Sequence, residues 1–377
     1  MESYLREYDF EIVTKAPVFI GSGEKVGKKE YIYDRRANKV VFLDLKKMYQ
    51  GLMKLRLLPA FQEYMLKERY DLYYFMKDHG IAPAQYLQWI DYTAAVGDPQ
   101  MITRSTVEIS RFVKDAYGSP YIPGSSMKGA LRTILQTDYY LKNKEQAGKI
   151  AGRIIREVQK GRDARYDQVE KEMAQNTFHR QLFAETKISD VQNDILRGLI
   201  ISDSEPLPKK VMCVCQKIDL GLDGQQKRLN LLRECIAPGT AVRFKITMDK
   251  SVCKYTAKEI VEAVKEFYRN YQQEFAVKYR GVPRINGTEA VFYLGGGAGY
   301  LSKTTSYAVM HESEAVKTVS RILDGNLSRQ RDLQRQHDHI HDEKRGASPH
   351  TLKCTVYDGN LYQMGACSIR KMKIKPQ

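Results

Sequence analysis

The chain has 377 residues, 42% of them hydrophobic and 28% charged, and carries a formal charge of +16 with a pI near 9.3. That length exceeds the roughly 250–300 residues at which a single core stops growing, so two domains are expected. No stretch reaches the roughly 20 apolar residues of a membrane span, and Met1–Asp9 has neither the basic start nor the apolar core of a signal peptide, so the expectation is a cytoplasmic globular chain with no membrane partner.

So large a basic excess calls for a polyanionic partner or serves a marked solubility role, and 25 tyrosines supply aromatic faces beside it. Nucleic acid satisfies both. Six cysteines (213, 215, 235, 253, 354 and 367) include no C-x-x-C pair. They read as reduced thiols, with Cys213 and Cys215 on one strand face as small buried hydrophobes, and neither zinc nor any other cofactor is expected.

From Tyr8 to Ile20 the apolar residues Tyr8, Phe10, Ile12, Ala16, Val18 and Ile20 fall on even positions, the period of a half-buried strand, with a break at Pro17. Gly21–Lys29, which includes Ser22, Gly23 and Lys28, reads as a flexible basic loop. Strands are predicted at Tyr31–Tyr33 and Val40–Leu43, around the turn residues Asp34–Asn38. Residues 44–95, with the single Trp89, read as an inserted or peripheral helical layer. Strands at Glu108–Lys114 and Pro120–Ile122 then lead into the most informative segment.

Ile122–Thr133 describes a tight turn feeding a basic helix start. Pro123 and Gly124 reverse the chain, Ser125 and Ser126 are good N-caps, and Met127, Ala130, Leu131, Ile134 and Leu135 recur at helical spacing. The first N–H groups of a helix lack internal partners and its dipole is positive there, so an anionic oxygen is stabilised at that end. Lys128 and Arg132, four apart, would share the solvent face. Gly129 costs roughly 1 kcal/mol relative to alanine inside a helix, which marks close approach by another backbone: a sugar-phosphate chain or, in the plainer reading, a protein strand. Gly124 and Gly129 have the spacing of a nucleotide-binding P-loop, but Ala130 and Leu131 stand where Lys and Ser/Thr are required, which excludes that chemistry.

A second helical tract covers about residues 140–185, its mixed charges reading as a solvated face. Strand character resumes at Leu199–Ser202 and Val211–Cys215. After the turn Ala237–Thr240, Val242, Phe244, Ile246 and Met248 alternate with polar residues in the cleanest strand of the chain. A second domain is placed here, giving an N-terminal unit of 1–235 and a C-terminal unit of 236–377. A helix carrying Ile260, Val264, Phe267, Tyr268, Tyr271 and Phe275 precedes a strand at Ala290–Leu294 and the loop Gly295–Thr304, a sequence suggesting half of a ferredoxin-like unit. That loop fails the G-x-G-x-x-G pattern, yet Gly295, Gly297 and Gly299, followed by Ser302, Lys303 and Thr304, would let backbone amides approach a phosphodiester. His337, His339 and His341 are spaced so that two could share a metal, but Ser328–Arg345 is almost wholly polar and reads as a solvated or mobile segment.

Taken in order, Ala16–Gly23, Arg111–Thr133, Ile201–Ser204, Arg233–Thr240, Gly295–Thr304 and Pro349–Lys353 resemble the RAMP superfamily of CRISPR proteins and, more narrowly, the fifth-numbered Csm subunits of type III-A effector complexes. Gly296 stands where that family often has an aromatic, so no stacking role carries over to it. The resemblance implies an α+β fold of two ferredoxin-like (RRM-like) RAMP domains with helical insertions near 44–95, 140–185 and 312–347. It implies an RNA-binding structural subunit that caps the effector filament at the 3′ part of the guide RNA. Its expected partners are guide RNA, target RNA, neighbouring subunits and the host nucleases recruited for guide 3′-end maturation. The RNA contacts implied are Gly21, Ser22, Gly23, Lys28, Gly124, Ser125, Ser126, Lys128, Arg132, Gly295, Gly297, Gly299, Ser302, Lys303 and Thr304, with no catalytic or metal-binding residue. The alternative is a RAMP-type endoribonuclease processing the guide precursor, for which His179 and Asp203 are weak candidates, reading more simply as a polar helix residue and a strand-end turn.

Overall fold

A computed structural model of the chain describes residues 4–67, 71–101, 108–285, 289–327 and 339–375. Fourteen strands are named among these residues, and they form two sheets. The smaller sheet has the order β11-β14-β1-β10-β7 and is antiparallel throughout: Val291–Tyr293, Ala366–Ile374, Leu5–Thr14, Ala241–Asp249 and Leu199–Ile201. The period-two patterns of β1 and β10 explain its centre. Tyr8, Phe10 and Ile12 of β1 and Val242, Phe244, Ile246 and Met248 of β10 are buried, and the register Leu5↔Asp249 to Val13↔Ala241 stacks these rows on one face. Pro17 breaks the first row, and beyond it Val18 makes only an isolated bridge to Ile236.

The larger sheet is mixed. It runs β2 (Gly21–Val26), β6 (Ile109–Phe112), β9 (Gln226–Ile236), β8 (Met212–Gly221), β5 (Ile90–Val96), β4 (Lys39–Leu43), β3 (Tyr31–Asp34), and β12 (Thr351–Tyr357) joins β8 and carries β13 (Asn360–Gln363). The pairs β5/β8 and β6/β9 are parallel. Two expectations are corrected here. Gly21–Val26 is an exposed strand rather than a loop, because β6 pairs with it at Gly21↔Phe112 and again at Lys25↔Ser110. The segment closing the early helical layer, Ile90–Val96, is a central strand. Neither sheet is confined to one side of residue 235: β1 and β7 lie with β10, β11 and β14, while β12 and β13 lie with the earlier strands.

The early helices α1 (Leu45–Lys54), α2 (Leu58–Leu66), α3 (Leu72–Asp78) and α4 (Pro83–Tyr86) have their own core of Met48, Leu52, Phe61, Tyr64, Phe75 and Trp89. This is the peripheral layer the sequence suggests. A Cβ at Gly51 would collide with the Trp89 ring, so α1 packs on Trp89 only through a glycine. The main core lies between the two sheets and α5 (Gly124–Lys142), α6 (Lys144–Gln159), α7 (Tyr166–Phe178) and α8 (Ala257–Glu274), with α9 (Ser306–Val309), α10 (Glu312–Leu327) and α11 (Asp342–Arg345) behind. The capping box Thr256/Glu259 starts α8 and its apolar stripe faces the core, as its spacing predicts. The polar faces of α6 and α7 pair their mixed charges in Lys149–Glu145, Arg153–Glu172 and Lys171–Asp167.

Candidate nucleic-acid interface

The start of α5 differs from the serine-capped helix its sequence suggests. The helix begins at Gly124 with Pro123 as cap residue and no side-chain cap, and Ser125 and Ser126 lie inside the first turn. The Gly124 N–H donates to Asp203 Oδ1 at 2.8 Å, and the Ser126 and Met127 N–H groups donate to the Pro123 carbonyl. Asp203, just after β7, therefore meets part of the demand for an anion at this helix end. Gly124 is the glycine of close approach, since a Cβ there would collide with the Ile201 and Ser202 carbonyls. Gly129 has no neighbour within 4 Å of where a Cβ would stand, so it packs on no strand; its side faces open space.

That open space is a cleft of about 370 Å³. Gly21 of β2 borders it on one side, Ser125, Ser126, Gly129 and Thr133 of α5 on another, and Gly295, Gly296, Ser302 and Lys303 of the late glycine loop on a third, with Phe267 and Tyr293 also lining it. Three segments distant in sequence thus meet at one cleft. Phe19 joins the two glycine segments: its carbonyl accepts the Gly296 N–H at 2.7 Å and its ring fills the space beside Gly21 and Gly296. The loop glycines 295, 297 and 299 all have φ between +79° and +90°, the left-handed region where side chains are strained. Of the loop's polar side chains only Ser302 is buried, donating to the Ala298 carbonyl at 2.5 Å; the exposed Lys303 donates to the Gly295 carbonyl, and the half-buried Thr304 donates to Ser306 Oγ at 3.0 Å. Desolvation pulls the Lys303 ammonium below its ordinary value, a condition an adjacent anion would relieve.

The cations beneath this loop were not among the sequence candidates. A Cβ at Gly297 would strike the Arg233 guanidinium and one at Gly299 the Lys353 side chain, so the loop lies directly on both. Arg233 of β9 also sits over the Phe19 ring, 5.2 Å from its centroid. Lys353 of β12 and Lys217 of β8 share one carboxylate, Asp219, at 2.9 and 3.8 Å. Burial first, and then Lys353 and Arg233 as like charges, depress the Lys217 ammonium, and burial depresses Arg233. Three cations around Asp219 leave an excess of positive charge. Arg233 and Lys353 sit within the motif stretches Arg233–Thr240 and Pro349–Lys353; what the sequence could not supply was the strand pairing that brings them under the loop.

Other candidates lie elsewhere. Lys128 and Arg132 share a flank of α5 that does not line the cleft: Arg132 pairs with Asp194 at 2.7 Å and lies over Phe178, and burial lowers the partly covered Lys128 ammonium. Ser22 and Gly23 are exposed on β2, and Lys28 lines a separate cavity against the early helices. His179 Nδ1 donates to the Ile188 carbonyl at 2.8 Å, and Asp203 is engaged at α5. His337 lies outside the described residues. His339 and Asp342 are buried, which corrects the solvated expectation at those two positions, while Ile340, His341 and residues 343–345 are exposed as expected. His339 Nδ1 donates to Asp342 Oδ2 at 2.7 Å, His350 Nδ1 to Oδ1 at 2.6 Å, and Ser348 Oγ to Oδ2 at 2.8 Å. Burial alone would raise the Asp342 carboxyl, but these bonds hold it well below the usual range. His339, Asp342 and His350 have a metal-ligand composition. Their contacts are hydrogen-bond lengths, however, and the Arg345 guanidinium stands 3.3 Å from the same carboxylate, so the group ties α11 to the chain before β12.

The RAMP superfamily matches residues 11–302 of the chain. A Mycobacterium tuberculosis protein named CRISPR system Cms protein Csm5 is 27% identical over 98% of both chains, and the Streptococcus thermophilus protein of that name is 28% identical over 81% of each. Among solved structures, a chain of the cryo-EM structure of a Csm–crRNA–target RNA ternary complex of a type III-A CRISPR-Cas system superposes with a TM-score of 0.67 at 19% identity, covering 96% of this chain and 100% of that one. The crystal structure of T. onnurineus Csm5 gives 0.60 at 18% identity, with coverage of 95% and 100%. At these identities the structures establish likeness of fold.

Proposed function

Because the chain belongs to the RAMP superfamily, we propose that it is the Csm5-type subunit of a type III-A CRISPR effector complex, holding the 3′ part of the guide RNA at the end of the filament. The observation that carries this reading is the cleft where Gly21, the first turns of α5 and the glycine loop converge, with Arg233 and Lys353 directly under the loop. Short side chains let a sugar-phosphate backbone come close, and the half-buried cations Arg233 and Lys353 give it a counter-charge. Such contacts fix register and orientation and leave sequence reading to base pairing between guide and target. The role is structural and needs no catalytic residue; guide 3′-end maturation is supported by positioning RNA and recruited nucleases. Within this reading the two sheets with their helices are two ferredoxin-like halves, drawn chiefly from 1–235 and 236–377.

Guide RNA carrying 4-thiouridine, photocrosslinked inside the assembled complex, tests the reading. Adducts are expected in the peptides around Ser125–Thr133 and Gly295–Thr304, and a complex whose adducts spare both would overturn it. The endoribonuclease alternative requires specific cleavage of guide precursor that is lost on substituting one histidine or acidic residue; purified protein that leaves the precursor intact with and without divalent metal removes it.

A further inference from the structure

Lys28 stands apart from the cleft because it lines a second, larger cavity of about 570 Å³, which shares no lining residue with the first. The larger sheet curls so that β3 and β4 at one end and β6 and β9 at the other face the same space, closed by α3 and α4. Val40, Met101, Ile109 and Leu232 are buried and contribute apolar lining. Five of the sixteen lining residues are tyrosines: 31, 33, 73, 74 and 86. Tyr73 and Tyr74 are about half exposed, at 48% and 50%. Arg35 lies 6.0 Å from the Tyr33 ring centroid.

This composition selects among ligands. An apolar ligand has no use for the three cations Lys28, Arg35 and Arg36, and a polyphosphate is opposed by Asp34 and Asp71 in the same wall. Three cations against two carboxylates leave one positive charge, the match for a single phosphodiester. The tyrosine faces suit a flat aromatic base, which stacks with little dependence on its identity. The carboxylates can also accept from base amino groups or a ribose hydroxyl. The volume falls within the roughly 300–1,000 Å³ of small-ligand sites. Lys28 is partly desolvated: burial lowers its ammonium, Asp71 opposes that, and Arg35 adds to it.

We propose that the cavity between the β3–β4 hairpin and α3–α4 holds one nucleotide, its base on the tyrosine faces and its phosphate against Lys28, Arg35 and Arg36. The nucleotide is supplied by a single-stranded RNA, which rests on the RNA-binding function proposed above; a free nucleoside monophosphate carries the same chemistry. The pocket gives the chain a second hold on the strand, distinct from the phosphate cleft.

The test uses the full-length chain with a short single-stranded RNA in one arm and adenosine 5′-monophosphate in the other. It compares the wild type with Tyr73→Ala/Tyr74→Ala, Tyr73→Phe/Tyr74→Phe and Arg35→Glu, circular dichroism checking that each folds. RNA affinity is expected to fall about tenfold in the alanine pair and in Arg35→Glu, and to survive in the phenylalanine pair, since stacking needs the ring and not the hydroxyl. Monophosphate binding lost in the same variants, with no RNA binding by any protein, would keep the pocket and overturn the RNA reading. RNA affinity unchanged in every pocket variant, together with no monophosphate binding, would overturn the pocket while leaving the cleft untouched.

Discussion

Glu234 shows what a single side chain carries in this fold. It is fully buried on β9, accepts from Lys114 Nζ at 2.7 and 2.9 Å and from the Phe112 N–H at 2.9 Å, and takes the Tyr92 hydroxyl as well. Burial first, and then the Glu234 charge, keep the Tyr92 phenol protonated well above its usual range, so it acts as a donor. Removing one member of such a pair leaves an uncompensated buried charge. Glu234→Leu is therefore expected to cost about 3–5 kcal/mol in thermal or denaturant unfolding, and Glu234→Leu with Lys114→Met to recover much of that. A single variant as stable as wild type would mean the group is solvated in a way its burial contradicts. None of this was legible in the sequence, because the partners are separated by 120 residues or more and nothing local marks Glu234 as internal.

At the scale of the element, α5 separates what its sequence reveals from what it hides. The spacing of Met127, Leu131, Ile134 and Leu135 predicts the helix and its buried face, and the structure buries all four. The sequence hides the cap because the acceptor for Gly124 comes from Asp203, 79 residues away, which leaves the adjacent serines to the cleft. The two glycines exchange roles for the same reason: close approach is a property of the neighbour, and Gly124 has Ile201 and Ser202 where Gly129 has none. Gly124→Ala is expected to destabilise the chain by about 1–3 kcal/mol through overpacking, whereas Gly129→Ala should stabilise it by up to about 1 kcal/mol through helix propensity alone. Paired melting curves check both, and the reverse order of stabilities would contradict the assignment. Strands β10 and β1 were readable from their period-two patterns. Their mutual pairing was not, since alternation states which face is buried and not which strand lies alongside.

Over the whole molecule, the charge of +16 is distributed so that some cations are neutralised and others are held in place by burial. Arg132 and Lys114 are spent on internal pairs, while Lys217, Arg233 and Lys353 crowd around one carboxylate beneath the glycine loop. Among the described residues no helix is long and apolar enough to cross a membrane. Composition points to a polyanion and the ordered motifs to the family, but the cations of the candidate interface lie on β8, β9 and β12 and are assembled only by the sheet. The central claim, that this surface grips an RNA strand by its phosphates, is tested most directly by the salt dependence of single-stranded RNA affinity, measured for the full-length protein and for Lys353→Gln. With about four to six phosphates contacted, the wild type should show a log–log slope of about −3 to −4, and the variant a slope shallower by about one. A slope near zero, unchanged by the substitution, would contradict the account.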